Sequence, residues 1–325
     1  MVVFIRALLV VLCIPMLAGA QDLPSWNAGT SRQAIIDFVQ KTTSEAGPAY
    51  IKPEERIAVF DNDGTLWPEQ PYYVQLAFAL DRVKLLAPQH PEWKAKEPFK
   101  SVLAGDLGAV AKSGPRGVAE LVVATHAGMT TTEFETIVSE WFSTAKHPKT
   151  GKRFLDMTYL PMRELLDYLR ANGFKTYIVS GGGVEFMRPI AQATYGIPPE
   201  QVIGSTIETK FAIVDDVPVL RRLPKIDFVN DGPGKPVGIN KFIGRRPVFV
   251  AGNSDGDYEM LRWTTEGPQH GFAMIVHHTD SVREYQYDRT SAFGKLDKAL
   301  NEAELRNWLV VDMKADWKNI WSSGN

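Results

Sequence analysis

The sequence predicts an α/β protein, a doubly wound, Rossmann-like parallel sheet with a helical cap inserted after its first strand. Three observations lead there. Short strand-like stretches with apolar centres at residues 57–60, 175–180 and 247–251 stop abruptly at polar turns, as strands buried on both faces of a parallel sheet do. Stretches with apolar residues at helical spacing separate the later runs, the order expected of crossover connections. Between the first two runs, residues 67–157 show helical spacing and no strong strand signal. That segment reads as the insertion, and residues 21–66 and 158–325 as the core.

In residues 1–20 one basic residue, Arg6, precedes an apolar run that closes on Ala18-Gly19-Ala20. A basic start, a short apolar centre and small residues before a cleavage point describe a secretory signal peptide. The expected location is therefore secreted or periplasmic. Cleavage after Ala20 would remove Cys13, the one cysteine in the sequence, leaving neither disulfides nor thiolate metal ligands. No later apolar run reaches the ~18 residues of a membrane helix, so no membrane association is expected after cleavage. The composition is 44% hydrophobic and 23% charged over 325 residues, with a net charge of −2. That balance is ordinary for a globular protein and has no basic footprint for nucleic acid or anionic lipid. Oligomeric state is left open.

The elements follow in order. Ala34, Ile35, Phe38 and Val39 share one face of a helix over residues 31–43, with Ser31 as its cap. Gly47-Pro48 and Pro53 end it, and the strand at 57–60 follows. Within the insertion, apolar residues recur at 73–86, 118–127 and 134–142, punctuated by Pro88, Pro91, Pro98, Gly114-Pro115 and Gly128. That pattern predicts four or so helices. An amphipathic helix over 159–172 stops at Asn172-Gly173 and leads into the strand at 175–180. A helix at 184–195, a strand at 201–203 and a polar, proline-rich β region to Pro233 come next. A short helix at 235–243 and strands at 247–251 and 272–277 complete the pattern.

The polar strand ends hold the chemistry. Asp61-Asn62-Asp63-Gly64-Thr65 follows the first strand, and ligands of open α/β sheets sit at the carboxyl ends of strands. Alternation puts Asp61 and Asp63 on one side and Asn62 on the other, and two adjoining carboxylates demand a cation or a shared proton. Ser180-Gly181-Gly182-Gly183 ends the second strand before a helix, an arrangement of hydroxyl and N–H donors suited to phosphate. Lys235 could supply a fixed positive charge. Gly252-Asn253-Ser254-Asp255-Gly256-Asp257 ends the third strand with oxygen ligands suited to a hard cation such as Mg²⁺. A calcium-loop reading of that motif fails, because no glutamate stands at its twelfth position. Taken singly these are a solvated turn, a flexible loop, a surface lysine and another turn. In this order, at strand ends, they make a site.

On these motifs the chain resembles the haloacid dehalogenase-like hydrolase superfamily, nearest its phosphoserine phosphatase-type branch, over roughly residues 55–66 and 155–280. The resemblance implies a Mg²⁺-dependent phosphatase acting on small phosphomonoesters. Asp61 would be the nucleophile that becomes an aspartyl phosphate, and Asp63 the acid to the leaving oxygen and then the base for water. Ser180, the Gly181 N–H and Lys235 would hold the phosphoryl oxygens. Mg²⁺ would sit on Asp61, the Asp63 main-chain carbonyl, Asn253 and Asp257. One position departs from the pattern: the last motif of the family begins Gly-Asp and this one Gly-Asn, leaving the site one negative charge short. Asp255 is a candidate to compensate, and Lys241 is the alternative to Lys235.

Glu69 stands near where a phosphoserine phosphatase places a glutamate on the substrate ammonium, and it also reads as a helix-start charge. Trp67, Tyr72, Tyr73 and Phe78 read as cap core, with an aromatic cage for phosphocholine as the other reading. Two further activities stay open. A dehalogenase on the same fold is opposed by Asp63; a non-catalytic binder of phosphate ligands is favoured slightly by Asn253.

Overall fold

The computed structural model describes residues 23–269 and 271–322, so the expected signal peptide lies outside the described residues. Its strands are β1 (Ile57–Phe60), β2 (Lys175–Gly183), β3 (Val202–Val214), β4 (Val217–Phe228), β5 (Phe249–Gly252), β6 (Phe272–Thr279), β7 (Gln286–Tyr287) and β8 (Leu309–Asp312). They form one sheet in the order β4-β3-β2-β1-β5-β6-β7, with β8 also paired to β6. The inner pairings are parallel, whereas β4 and β7 join antiparallel. The α/β expectation holds, and the margins of the sheet are mixed.

β1 lies at the centre because all four of its residues are apolar and buried. Alternation sends Ala58 and Phe60 into the core on one face of the sheet and Ile57 and Val59 into the core on the other. The helices are α1 (Thr30–Thr43), α2 (Val74–Leu86), α3 (Phe99–Ala104), α4 (Leu107–Lys112), α5 (Gly114–His126), α6 (Thr131–Thr144), α7 (Leu160–Ala171) and α8 (Val184–Tyr195). They continue with α9 (Gly234–Phe242), α10 (Tyr258–Thr265), α11 (Lys298–Glu302) and α12 (Met313–Asp316).

Five helices, α2 to α6, stand between β1 and α7. Leu76, Leu80, Val83, Phe99, Val110 and Leu121 give α2 to α5 a small core of their own, with Trp93 stacked on Phe99 at 4.5 Å. α6 belongs instead to the main core. It starts at a capping box between Thr130 and Glu133, and its Phe142 ring lies 5.9 Å from Trp67 and 5.0 Å from Phe186 of α8. This aromatic joint ties the insertion to the sheet.

The proline-rich β region is a long hairpin. Its turn is Asp215-Asp216, both at positive φ (49° and 60°), the two-residue geometry whose twist matches paired strands. Pro218 and Pro224 are accommodated because β4 is an edge strand. The hairpin also meets the insertion, since the Arg222 N–H donates to Met129 O at 2.8 Å and Gly128 N–H to Arg222 O at 2.9 Å. Short patterns hide the C-terminal elements from sequence: β8 has only Leu309-Val310-Val311 as its apolar run.

Candidate active site

β1 ends at Phe60, and the chain turns immediately. Asn62 O accepts the N–H groups of Thr65, Leu66 and Trp67 at 3.1, 2.8 and 3.3 Å, closing a tight turn that lets Gly64 take a φ of 76°. Asp61 stays in register with β5, its N–H donating to Ala251 O at 2.9 Å. Its carboxylate, 6% exposed, meets Lys235 Nζ at 2.5 Å. Lys235 comes from the first turn of α9 and is itself 2% exposed. A second carboxylate, Asp257 Oδ1, lies 2.6 Å from the same ammonium. Burial alone would lower the lysine pKa, and Asp257 and Asp61 more than reverse that. The ammonium stays charged.

Asp257, expected as a metal ligand, thus also holds the lysine in place. Its Oδ2 accepts the main-chain N–H groups of Asn253 and Ser254 at 2.9 and 3.0 Å, so each of its oxygens already has a partner within the protein. It anchors Lys235 and the turn after β5. Asp255 Oδ1 accepts the N–H groups of Asp297 and Ala299 at 3.0 Å each, which ties this turn to the C-terminal part of the chain. Lys241 lies on the exposed face of α9 near the Phe228 and Phe242 rings, away from the carboxylates that Lys235 meets.

Asp63 accepts from Trp67 Nε1 at 2.9 Å. Burial pushes its carboxyl up to about 6 against that hydrogen bond and the charge of Lys235. Burial, then Asp257, holds Asp61 well above the ordinary carboxylate range despite Lys235. Across the cavity Ser180 Oγ accepts the Gly182 N–H at 3.0 Å, which leaves its hydroxyl hydrogen to donate. Asn230 Nδ2 holds Ser180 O at 2.9 Å, and Ser205 Oγ holds Gly181 O at 2.7 Å. Asp61, Asp63, Ser180, Gly181 and Lys235 thus line one cavity of about 510 Å³ between the sheet and the insertion.

Glu69 and Asn253 form a pair that the sequence pattern does not foresee. Asn253 Nδ2 donates to Glu69 Oε1 at 2.6 Å, Tyr287 OH donates to the same oxygen at 2.8 Å, and Thr65 Oγ1 donates to Asn253 Oδ1 at 3.1 Å. Burial raises Glu69 well above the usual range. Tyr287 lies 218 residues from its partner, and nothing local marks it. Gln75, His126, Glu185 and Arg222 also line the cavity without belonging to any motif.

Among the described residues no group of three carboxylate, imidazole or thiol side chains gathers as a metal site. A set made from the Asp61 carboxylate, the Asp63 carbonyl and the Asn253 amide oxygen would not form such a group, and it suits Mg²⁺ by its hard oxygen donors. The electrostatics fit as well. Asp61, Asp63 and Glu69 are all raised by burial near the single ammonium of Lys235, and a divalent cation would relieve them.

A doubly wound core with an acidic nucleophile candidate at its central strand, under an inserted cap, defines a class of hydrolase. A family model for haloacid dehalogenase-like hydrolases matches residues 58–262, and the chain belongs to that family. Solved structures align over most of it. A protein with unknown function from Bordetella pertussis Tohama I is 19% identical, with 80% of this chain and 99% of that one covered, at a TM-score of 0.51. A conserved, functionally unknown protein from Anaerococcus prevotii DSM 20548 is 17% identical over 90% of this chain and 96% of its own, at a TM-score of 0.55. A phosphoserine phosphohydrolase-like protein from Francisella tularensis subsp. tularensis SCHU S4 is 14% identical over 77% and 98%, at 0.41. At these identities the first two share the fold. Among curated proteins none matches.

Proposed function

We propose that the protein is a Mg²⁺-dependent phosphatase that hydrolyses small phosphomonoesters through an aspartyl phosphate on Asp61, with Asp63 as general acid and base. The observation that carries this reading is the buried Asp61 carboxylate, 2.5 Å from an ammonium that Asp257 anchors, on the wall of a cavity shared with Ser180. Phosphoryl transfer asks for little more than an in-line nucleophile, positive charge and donors around the phosphoryl oxygens. In the first step an Asp61 oxygen attacks phosphorus, the ester P–O bond breaks, and the leaving oxygen takes the proton held by Asp63. In the second, water attacks the same phosphorus and gives a proton to Asp63, and the bond to Asp61 breaks with release of phosphate. A carboxyl raised to about 6 suits a group that alternates between acid and base near neutral pH.

Ser180 Oγ, the Gly181 N–H and Lys235 would receive the phosphoryl oxygens. Asp61, the Asp63 carbonyl and Asn253 would hold Mg²⁺, with Glu69 behind Asn253 supplying the charge that an asparagine lacks. The cation, when bound, would neutralise charge at the phosphoryl oxygens. Residues 1–20 support export of this enzyme to a secreted or periplasmic location. Hydrolysis of p-nitrophenyl phosphate by the purified protein, lost with EDTA and restored by Mg²⁺, is the expected result. Phosphate binding without turnover would identify a non-catalytic relative instead.

A further inference from the structure

Beyond the carboxylates the cavity runs under the insertion. Its walls there are Leu76 of α2, Val118 and Val122 of α5, Phe134 of α6 and Ile226 of β4, with Val229 just beyond that strand. Several polar side chains of that half bind one another or the main chain. Thr125 Oγ1 donates to Leu121 O at 2.7 Å, so it accepts from His126 Nδ1 at 2.7 Å. His126 Nε2 is then the acceptor for Gln75 Nε2 at 3.1 Å, and Gln75 Oε1 accepts the Gly183 N–H at 2.7 Å. Arg222 donates through Nε to His126 O at 2.6 Å, lies 4.0 Å from the Phe134 ring centre and pairs with Glu185.

The remaining carboxylates belong to the core end. Glu69 is held by Asn253 and Tyr287, and Asp231 lies beside Gly181 and Gly256. No aromatic cage forms from the residues that sequence offered for one, since Trp67 and Phe78 are buried in the core. A charged or polyhydroxylated body seated against that apolar wall would lose water without regaining hydrogen bonds from it. An apolar one would gain from every methylene buried.

We infer that the protein's substrates are phosphate monoesters of uncharged, predominantly apolar alcohols, selected by the Leu76–Val118–Val122–Phe134 wall opposite the carboxylates. The inference rests on the phosphatase reading above. The test is kcat/KM for ethyl, butyl and hexyl phosphate, whose leaving alcohols differ little in acidity, beside phosphoserine, phosphoethanolamine and glycerol 1-phosphate. Specificity should climb by up to about four-fold per added methylene, and hexyl phosphate should exceed the three polar esters by at least about tenfold. Val122→Gln should flatten the chain-length slope, and Val118→Gln serves if that variant does not fold. A flat series, or a preference for any of the polar esters, overturns the inference and leaves the phosphatase reading standing. No turnover of any ester, p-nitrophenyl phosphate included, overturns both.

Discussion

A hydrogen bond of 2.6 Å joins Asn253 Nδ2 to Glu69 Oε1, and Tyr287 OH adds another to the same oxygen at 2.8 Å. Glu69, on the turn that follows Asp63, thus sets a carboxylate against the amide of Asn253. An aspartate at 253 would set two carboxylates against each other in a dry site. Asn253→Asp should therefore lower the melting temperature in metal-free buffer, by the equivalent of about 1–3 kcal/mol. Mg²⁺ should recover more stability in this variant than in the wild type, and adding Glu69→Gln should remove the metal-free loss. Identical melting curves for wild type and Asn253→Asp, with and without Mg²⁺, would show that the two side chains do not share the charge. Much of this site is legible in sequence, because Asp61, Asp63, Ser180 and Lys235 each follow a recognisable apolar run or turn. Glu69's partner is not. A contact made across 218 residues leaves no periodicity to read.

At the scale of elements, the joint between α5 and the β3–β4 hairpin is the part that pattern reading underestimates. The hairpin's prolines and charges suit an exposed edge strand and read in sequence as a polar β region with no place in the site. Yet its Arg222 is 3% exposed and donates to the last residue of α5, His126. Burial, then Arg222 and Arg82, pushes the His126 pKa down from 6.5 to about 3. In the unfolded chain this imidazole takes a proton as pH falls below about 6.5, while in the folded protein it does not until about 3. The unfolded state thus binds more protons in that window, so this residue lowers stability as pH falls, by at most about 1.4 kcal/mol per pH unit. His126→Gln keeps an amide for Gln75 and does not titrate. Urea melts between pH 4 and 7 should show a shallower acid decline for the variant than for the wild type. Parallel declines would place the acid sensitivity elsewhere.

For the whole molecule, the core sheet announces itself in sequence because β1 and β5 at its centre are buried along their whole length and carry no polar side chain. The C-terminal segment does not, although its Ala292 and Phe293 line the cavity. Gly294 takes a φ of 63°, and a Cβ there would collide with the Glu69 carboxylate. Gly294→Ala should cost about 1–3 kcal/mol from the left-handed backbone and the displaced carboxylate together. It should also weaken Mg²⁺ binding measured by calorimetry, whereas full stability and unchanged binding would separate this segment from the site.

Elements of the sheet, the insertion and the C-terminal segment line the cavity that holds the Asp61 carboxylate, where the covalent step is proposed to occur. Incubating the protein with Mg²⁺ and p-nitrophenyl phosphate, quenching in acid and mapping peptides by mass spectrometry tests it directly. One added phosphoryl group is expected on the peptide that contains Asp61, and none in a folded Asp61→Asn variant, which should also have lost turnover. Steady turnover by Asp61→Asn, or a phosphoryl group trapped on another residue, would contradict it.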